Sequence, residues 1–485
     1  MTFAICLANR GTFPGSLFDA ARKELSKALS AQGHKALMLP VGSTRHDAVG
    51  SIDEGRTYAK FLAAHSGEYD GVILSLPNFG DENGAVVALK DAGVPILVQA
   101  YPDEPEKMGI HERRDAVCGK LAICNVLRQA GVPYTLTADF AVHPCAGLGG
   151  RVSSRAEAAV DSRPPVTSFS EDVRRFAAIC RVVKGLKNFN IGVIGARTTP
   201  FKTVRIDEIA FQRHGVNVET LDLADVFKLM RSANAKAVAA KRKELEAYAR
   251  RAPCCAKRID ALARLGVAID RIVGEYSLDS VAVRCWDEFQ TEWGISPCVV
   301  MSMLNDRGFP AACETDVDNA VMMRAVGLAA GDGKPVAVFD VNNNYRNAKD
   351  KAIFFHCSAV PKGMLTGRGL IDDHPILAKS MGPDTSVGVH NGKMRPGPIT
   401  VASLRTEDGR LKGFVTEGEV TALNPGKGFF GTGFVFRKAD GDMNGLLNYM
   451  AENGYRHHVA FAYGRNANVV HEALVKYIGY DIDLM

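Results

Sequence analysis

The first hundred residues alternate between two kinds of hydrophobic pattern. Short apolar runs predict strands, and stretches with helical spacing between them predict helices. The predicted strands cover residues 2–8, 35–41, 71–76 and 94–100, and the predicted helices cover 18–31, 58–64, 85–92 and 113–131. Strands that alternate with helices through short connections predict a parallel sheet covered by helices on both faces.

The pattern changes twice further along the chain. Between residues 146 and 170 Gly, Arg, Ser and Pro dominate, which predicts a crossing into a second domain, where strand–helix alternation resumes. After Lys351 the apolar segments become short and alternating, as in ITVASLRT and GTGFVFRKAD, which predicts antiparallel β structure. The predicted fold class is therefore α/β, with two doubly wound parallel-sheet domains followed by a C-terminal antiparallel, barrel-like domain.

These changes of pattern give three predicted domain ranges. Residues 1–160 form the first α/β domain, 161–350 the second, and 351–485 a β-rich domain that ends in helix, strand and helix. A chain of 485 residues is long enough for about three domains of ordinary size.

Composition and charge exclude several classes of protein. With 46% hydrophobic and 23% charged residues and a net charge of +5, the chain resembles an average globular protein. The most basic stretch, 236–251, also carries Glu244 and Glu246, so it predicts a solvated helix face and no nucleic-acid partner. The N-terminus lacks a charged region ahead of a long apolar stretch, and no apolar run reaches the roughly 18 residues needed to span a bilayer. We expect a cytoplasmic protein with no membrane partner, in which the 11 cysteines are reduced thiols.

One glycine motif resembles a dinucleotide-binding motif, but its sequence context excludes that interpretation. GKGFFG at Gly426–Gly431 matches G-x-G-x-x-G, but TGFVFRK follows it and alternates like a strand. A dinucleotide-binding motif must open a helix, whose N-terminus binds the pyrophosphate. The motif therefore predicts a β-turn.

Three separate residues are candidates for chemistry. Glu314 lies where an apolar stretch gives way to a polar turn and then a helix, which Thr315 or Asp316 could cap. Asp340 ends the apolar run PVAVFD, and His458 lies in the predicted strand HHVAFAY, on the face opposite His457. By spacing alone, each carboxylate could equally be a cap or turn residue, and the histidine a structural one.

The segments around these residues resemble the L-fucose isomerase family, which includes the relatives of L-arabinose isomerase. ACETDVDNAVMM resembles the family's A-x-E-x-D segment, AVFDVNNNY its strand ending in Asp, and HHVAFAYG its H-x-A-F-x-Y-G strand. PGPITVASL and VTEGEV resemble stretches of the family's C-terminal β domain. The segment GARTTPFKTVRIDE departs from the corresponding loop of the fucose isomerases, which leaves the substrate open.

The resemblance implies a metal-dependent aldose–ketose isomerase acting through a cis-enediol. Glu314, Asp340 and His458 would bind one divalent metal ion, and the two carboxylates would also move the proton. Oxygen-rich ligands favour Mn²⁺, with Mg²⁺ or Co²⁺ as alternatives. His356 matches a family histidine and is either a substrate-binding or a core residue. The resemblance also implies a closed homo-oligomer, a trimer or hexamer.

The sequence leaves the sugar and two rival functions open. Arg10, Arg197 and Lys202 lie in loops after predicted strands, where they could bind the anionic group of a sulfonated or phosphorylated sugar. The rivals are a non-catalytic sugar-binding protein and a metal-dependent sugar epimerase or lyase. Metal-dependent turnover would exclude the first, and product analysis would separate the second.

Overall fold

The computed structural model describes residues 1–146, 168–357, 359–426 and 428–485. These residues form two compact units, Met1–Lys184 and Gly185–Met485. The predicted boundary between residues 160 and 161 lies outside the described residues, so the three domain ranges stay a prediction.

The first unit is built on a parallel sheet, as predicted, which has five strands in place of the four predicted. Its strands are β1 (Thr2–Leu7), β2 (Lys35–Met38), β3 (Gly71–Leu76), β4 (Ile96–Ala100) and β5 (Thr135–Leu136), in the order β2-β1-β3-β4-β5. Its helices are α1 (Leu17–Ser30), α2 (Ile52–Ala64), α3 (Glu82–Leu89), α4 (Ala116–Gln129) and α5 (Phe169–Leu186). Successive side chains of β1 enter opposite cores: Phe3 packs with Phe18 of α1, whereas Ala4 packs with Tyr58 of α2. Helices therefore cover both faces of the sheet.

The second unit begins with a parallel sheet. Its strands are β6 (Phe189–Ile194), β7 (Val216–Leu221), β9 (Ser280–Val283) and β10 (Ala311–Cys313), in the order β10-β9-β6-β7, while β8 (Arg250–Arg251) lies in another sheet. The helices are α6 (Glu208–Arg213), α7 (Leu223–Arg231), α8 (Ala235–Tyr248), α9 (Ile259–Glu275), α10 (Glu288–Trp293), α11 (Cys298–Asp306) and α12 (Val317–Ala330). The basic stretch forms most of α8, where Lys241 and Arg242 pair with Glu244 and Glu246.

An antiparallel sheet completes the second unit. The elements are β11 (Ala337–Asn344), β12 (Lys351–His356), β13 (Leu370–Asp373), α13 (Pro375–Met381), β14 (Val387–Asn391), β15 (Gly397–Glu407), β16 (Arg410–Val420), β17 (Thr432–Lys438), α14 (Met443–Glu452), β18 (His458–Tyr463), α15 (Ala467–Glu472) and β19 (Asp481–Leu484). Pairing runs β15-β18-β11-β12-β17-β16, and β16 pairs again with β15, which closes a ring. β19 joins β16 in parallel, and β14, β13 and β8 form a separate small sheet. The predicted change from parallel to antiparallel structure is confirmed.

Two local predictions can be compared with the elements. β17 follows the glycine motif directly, so no helix opens there and the dinucleotide interpretation stays excluded. Asp340 was expected at the end of a strand, but β11 continues to Asn344 because its partner β12 pairs with it as far as Ala352. Asp340 therefore lies within a strand of the antiparallel ring. Among the described residues, no helix combines the length and hydrophobicity needed to cross a bilayer.

Candidate active site

His458 is the centre of the candidate active site. It is the first residue of β18 and lies directly opposite Asp340 of β11 in the antiparallel register. Its Nε2 atom is 3.4 Å from Oδ1 of Asp340 and 3.2 Å from Oε2 of Glu314. The structure thus brings together the three residues that the sequence placed far apart.

Glu314 is positioned by a tight turn between β10 and α12. Glu314 and Thr315 both have left-handed backbone conformations, with φ values of 59° and 58°, which is unusual for residues other than glycine. The turn allows Asp316 to cap α12, as predicted, by accepting a hydrogen bond from the backbone N–H of Asn319. The indole Nε1–H of Trp286 donates to Oε1 of Glu314 at 2.9 Å, so both carboxylate oxygens have a partner.

A buried ionic network supports the imidazole from behind. Oδ2 of Asp316 accepts a hydrogen bond from His458 Nδ1–H at 2.8 Å and another from the Asn319 side chain at 2.6 Å. The guanidinium of Arg456 pairs with both Asp316 and Asp318, and all three side chains are almost completely buried. A carboxylate on one imidazole nitrogen fixes the ring orientation and directs the other nitrogen at Glu314 and Asp340.

The charges of this network shift the pKa values of the site. Burial alone would lower the pKa of His458, but its hydrogen bonds to Asp316 and Glu314 and the nearby Asp340 charge raise it to about 10. Burial raises the pKa of Asp340 to about 6, against the attraction of His458. Burial also acts to raise the pKa of Glu314, yet hydrogen bonding to His458 and Trp286 lowers it overall. A positive charge is thus stabilised where the two carboxylates meet.

These residues fit a divalent metal ion. A cation that replaced the proton on His458 Nε2 would be near a neutral imidazole nitrogen and two carboxylates. Asp316 would still accept the hydrogen bond from Nδ1–H. Among the described residues, the group whose ligand atoms all lie within 4.8 Å of one another is Asp340, His457 and His458, without Glu314. His457 was expected on the opposite face, but its Nε2 is 4.0 Å from Asp340 Oδ1. It precedes the first residue of β18, so strand alternation does not govern its direction.

The site opens into a cavity of about 290 Å³ within the second unit. Glu314, Asp340, His457 and His458 lie in its wall with Phe201, whose ring packs against both histidines. The remaining lining residues are aromatic, aliphatic, thiol, hydroxyl or imidazole side chains: Cys285, Trp286, Ser296, Cys298, Cys313, Phe355, His356, Cys357, His374, Ile376 and Leu377. The cavity is therefore largely apolar away from its cluster of ionisable groups.

The predicted substrate-binding residues lie in different surroundings. His356 lines the cavity, and its Nδ1 accepts from the Ala359 N–H at 3.1 Å. Burial lowers the pKa of His356 to about 4, which keeps the ring neutral. Lys202 is exposed and directly follows the cavity residue Phe201.

Two predicted arginines already have protein partners. The guanidinium of Arg197 donates to the carbonyl oxygens of Thr198 and Thr199, each at 3.2 Å. Arg10 belongs to the first unit, where its guanidinium pairs with Glu82 at 2.8 Å and stacks over Phe79.

Sequence reasoning missed much of the support for the site. Trp286, Arg456 and His374 had no local pattern that marked them, because their roles depend on contacts with distant residues. Asp316 was recognised only as a helix cap, although it is the second acidic residue of the A-x-E-x-D segment.

Comparison with known proteins gives matches at both ends of the chain. Residues 4–148 match the fucose/sulfoquinovose isomerase N-terminal domain, and residues 355–485 match the L-fucose isomerase C-terminal domain. A sulfoquinovose isomerase of Alkalicoccus urumqiensis is 26% identical over 306 residues, which is 62% of each chain and so less than two thirds of that relative. A sulfoquinovose isomerase of Priestia aryabhattai is 24% identical over 405 residues, or 81% of each chain. Since the two domain matches together cover more than half of its residues, this chain belongs to the fucose isomerase family of aldose–ketose isomerases.

Proposed function

We propose that this chain interconverts an aldose and a ketose of a sulfonated sugar through a cis-enediol. The observation that carries the proposal is the convergence of Glu314 and Asp340 on one imidazole nitrogen of His458 in the wall of a cavity. The names of the relatives support a sulfonated sugar as the substrate. They also favour catalysis over the non-catalytic sugar-binding protein that the sequence left open.

In this proposal Glu314, Asp340 and His458 hold one divalent ion, with His457 as a further donor close to Asp340. The mixture of carboxylates and imidazole favours Mn²⁺, with Mg²⁺ and Co²⁺ as alternatives. When bound by these residues, such an ion would polarise a carbonyl oxygen and stabilise the negative charge that develops beside it.

The residues of the chain supply the proton transfer. One of the two carboxylates, Glu314 or Asp340, removes the proton from the carbon beside the carbonyl group. The other lies on the opposite side of the enediol, and a proton is returned to the former carbonyl carbon, which completes the conversion. Asp316 holds the His458 ring through Nδ1–H, so that Nε2 stays directed at both carboxylates. The apolar wall around Phe201 and Phe355 excludes water from the intermediate.

We assign the sulfonate to the region beside Lys202, because the residues that line the cavity include no lysine or arginine. The Lys202 ammonium makes no ion pair within the described part of the chain, so its charge is available to a ligand. Arg197 is a further candidate, and His356 contributes a neutral wall to the sugar site. Family resemblance supports a trimer or hexamer, which light scattering would test.

The proposal is tested with a panel of sulfonated, phosphorylated and neutral aldoses and ketoses. The protein is first stripped of metal and then assayed with and without added Mn²⁺ in deuterated water. We expect conversion of the sulfonated aldose to its ketose only with metal, and deuterium incorporation at the transferred position. Epimers or cleavage products, or full turnover in the presence of chelator, would reject the proposal.

A further inference from the structure

The segment after β13 carries a histidine that the proposed chemistry does not use. His374 directly follows Asp373, whose carboxylate accepts backbone N–H groups of His374, Ser386 and Asp384 at 3.1, 3.0 and 2.7 Å. These three bonds close the loop that contains α13 and fix the start of that helix. The position of His374 is therefore set before any ligand enters.

His374 lies in the cavity wall, and no hydrogen bond joins its ring to another described residue. The residue is 7% exposed and lines the same cavity as Glu314, Asp340 and His458. Nδ1 is covered by protein and lies close to the residue's own backbone, so Nε2 is the ring nitrogen that a ligand in the cavity can reach. A ring nitrogen that faces a cavity without a hydrogen-bond partner indicates a place where a ligand completes the bonding.

The chemistry of the ring selects the kind of ligand. Burial lowers the pKa of His374, against the opposing effects of its own backbone and of the Asp373 and Glu314 charges, so the ring is neutral at pH 7. Nε2 of a neutral imidazole is either an N–H donor or an acceptor, depending on the tautomer, and a hydroxyl group can pair with either form. A sulfonate group only accepts, and it would favour a cationic partner.

Neighbouring groups of the wall agree with a sugar hydroxyl. Ser296 Oγ accepts a hydrogen bond from Gln290 at 3.0 Å, which leaves its own hydroxyl proton to donate into the cavity. Ile376 and Leu377 present aliphatic surface from the helix that follows His374. The polar side chains of His374 and Ser296, beside the aliphatic side chains of Ile376 and Leu377, suit a sugar carbon with its hydroxyl group.

We propose that His374 is a substrate-binding residue that recognises one hydroxyl group of the sugar, other than the two oxygens that react, and so contributes to sugar specificity. The inference rests on the proposed function, since it takes the ligand of this cavity to be a sugar. His374 makes no hydrogen bond to the residues assigned to proton transfer, so its contribution is separable from theirs.

The test compares His374→Phe and His374→Gln with the wild-type protein. Phenylalanine fills the space without hydrogen bonding, and we expect kcat/KM to fall about 10- to 100-fold for a sulfonated hexose and equally for its 6-hydroxy counterpart. Glutamine keeps a donor and an acceptor and should recover part of the loss. One monodeoxy analogue should be poor for the wild type and should suffer no further loss with His374→Phe, because both changes remove the same bond.

His471→Phe, in α15 and outside the cavity wall, is the matched control and should leave kcat/KM unchanged. Unchanged kcat/KM in a His374→Phe protein that melts normally would overturn the inference. A loss confined to the sulfonated sugar would also overturn it, since His374 would then bind the anion. Sugar dissociation constants, measured by calorimetry on the same proteins, test the role of His374 even if no turnover is found. Absence of turnover with normal sugar binding would count against the proposed function alone. A wild-type protein that neither binds nor converts these sugars overturns both.

Discussion

Glu314→Gln tests the proposed proton transfer with little change of shape. Oε1 of Glu314 accepts from Trp286 at 2.9 Å, and Oε2 lies 3.2 Å from His458 Nε2. The glutamine carbonyl oxygen can still accept from the indole, while its amide N–H can donate to a neutral His458. The substitution therefore preserves the packing but removes the negative charge and the basicity.

The expected effects on turnover and on stability differ in size. Loss of a general base lowers kcat by about 10²–10⁴, or roughly 3–5 kcal/mol of activation free energy. The lost charge-assisted hydrogen bond to His458 would cost about 1.5–3 kcal/mol of folding stability. Because burial also disfavours the charged form of Glu314, removing that charge offsets part of this cost. The free energy of unfolding should thus fall by no more than about 2 kcal/mol.

The assay measures kcat for the preferred sugar at saturating Mn²⁺, with urea unfolding of the same preparations. Glu292→Gln, at an exposed glutamate that pairs with Arg231, is the matched control and should keep full activity. Exchange of solvent deuterium into the sugar should fall in parallel with kcat for Glu314→Gln. Full turnover by a correctly folded Glu314→Gln protein would refute the assignment of Glu314 as a proton-transfer residue.

Three further predictions address the metal, the anion and a buried lysine. His458→Ala should weaken Mn²⁺ binding at least 10- to 100-fold by calorimetry, with part of the turnover restored by excess metal. Lys202→Ala should raise KM for a sulfonated sugar about 10-fold or more and leave a neutral sugar unaffected, whereas the control Lys236→Ala should change neither. Burial lowers the pKa of Lys120 to about 8, whereas an unfolded lysine titrates near pH 10.4, so the unfolded chain binds more protons between these values. The free energy of unfolding should therefore rise with pH across this window, by up to about 3 kcal/mol, and Lys120→Met should flatten that rise.

The parallel sheet of the first unit was predictable because burial on both faces leaves a local pattern. β3 is apolar almost throughout and is fully buried, and its predicted limits match those of the structure. β11 was harder to delimit, since Asn343 and Asn344 are exposed polar residues that continue the strand only through pairing with β12. Hydrophobic pattern predicts buried strands well, but the partner strand decides where an exposed strand ends.

The three residues of the candidate site could be predicted from the sequence, but the distances between them could not. The pairing of Asp340 with His458 depends on the register between β11 and β18, which are more than a hundred residues apart in the chain. Successive side chains point to opposite faces only inside a regular strand, and His457 precedes β18. Strand alternation therefore did not predict the direction of its side chain. Resemblance to a family supplied the three residues, and only the folded chain gives the distances between them.

Asp316 shows why a correct local prediction can still miss a functional role. Its Oδ1 caps α12 by accepting from the Asn319 N–H, a role that follows from the neighbouring sequence. Its Oδ2 accepts from His458, a residue 142 positions away, and Arg456 compensates the buried charge. One carboxylate thus ties the start of a helix to the first residue of β18 in the antiparallel ring. Because Glu314 precedes that cap by two residues, the bond that orients His458 also fixes the turn that presents Glu314, so the two groups are positioned together.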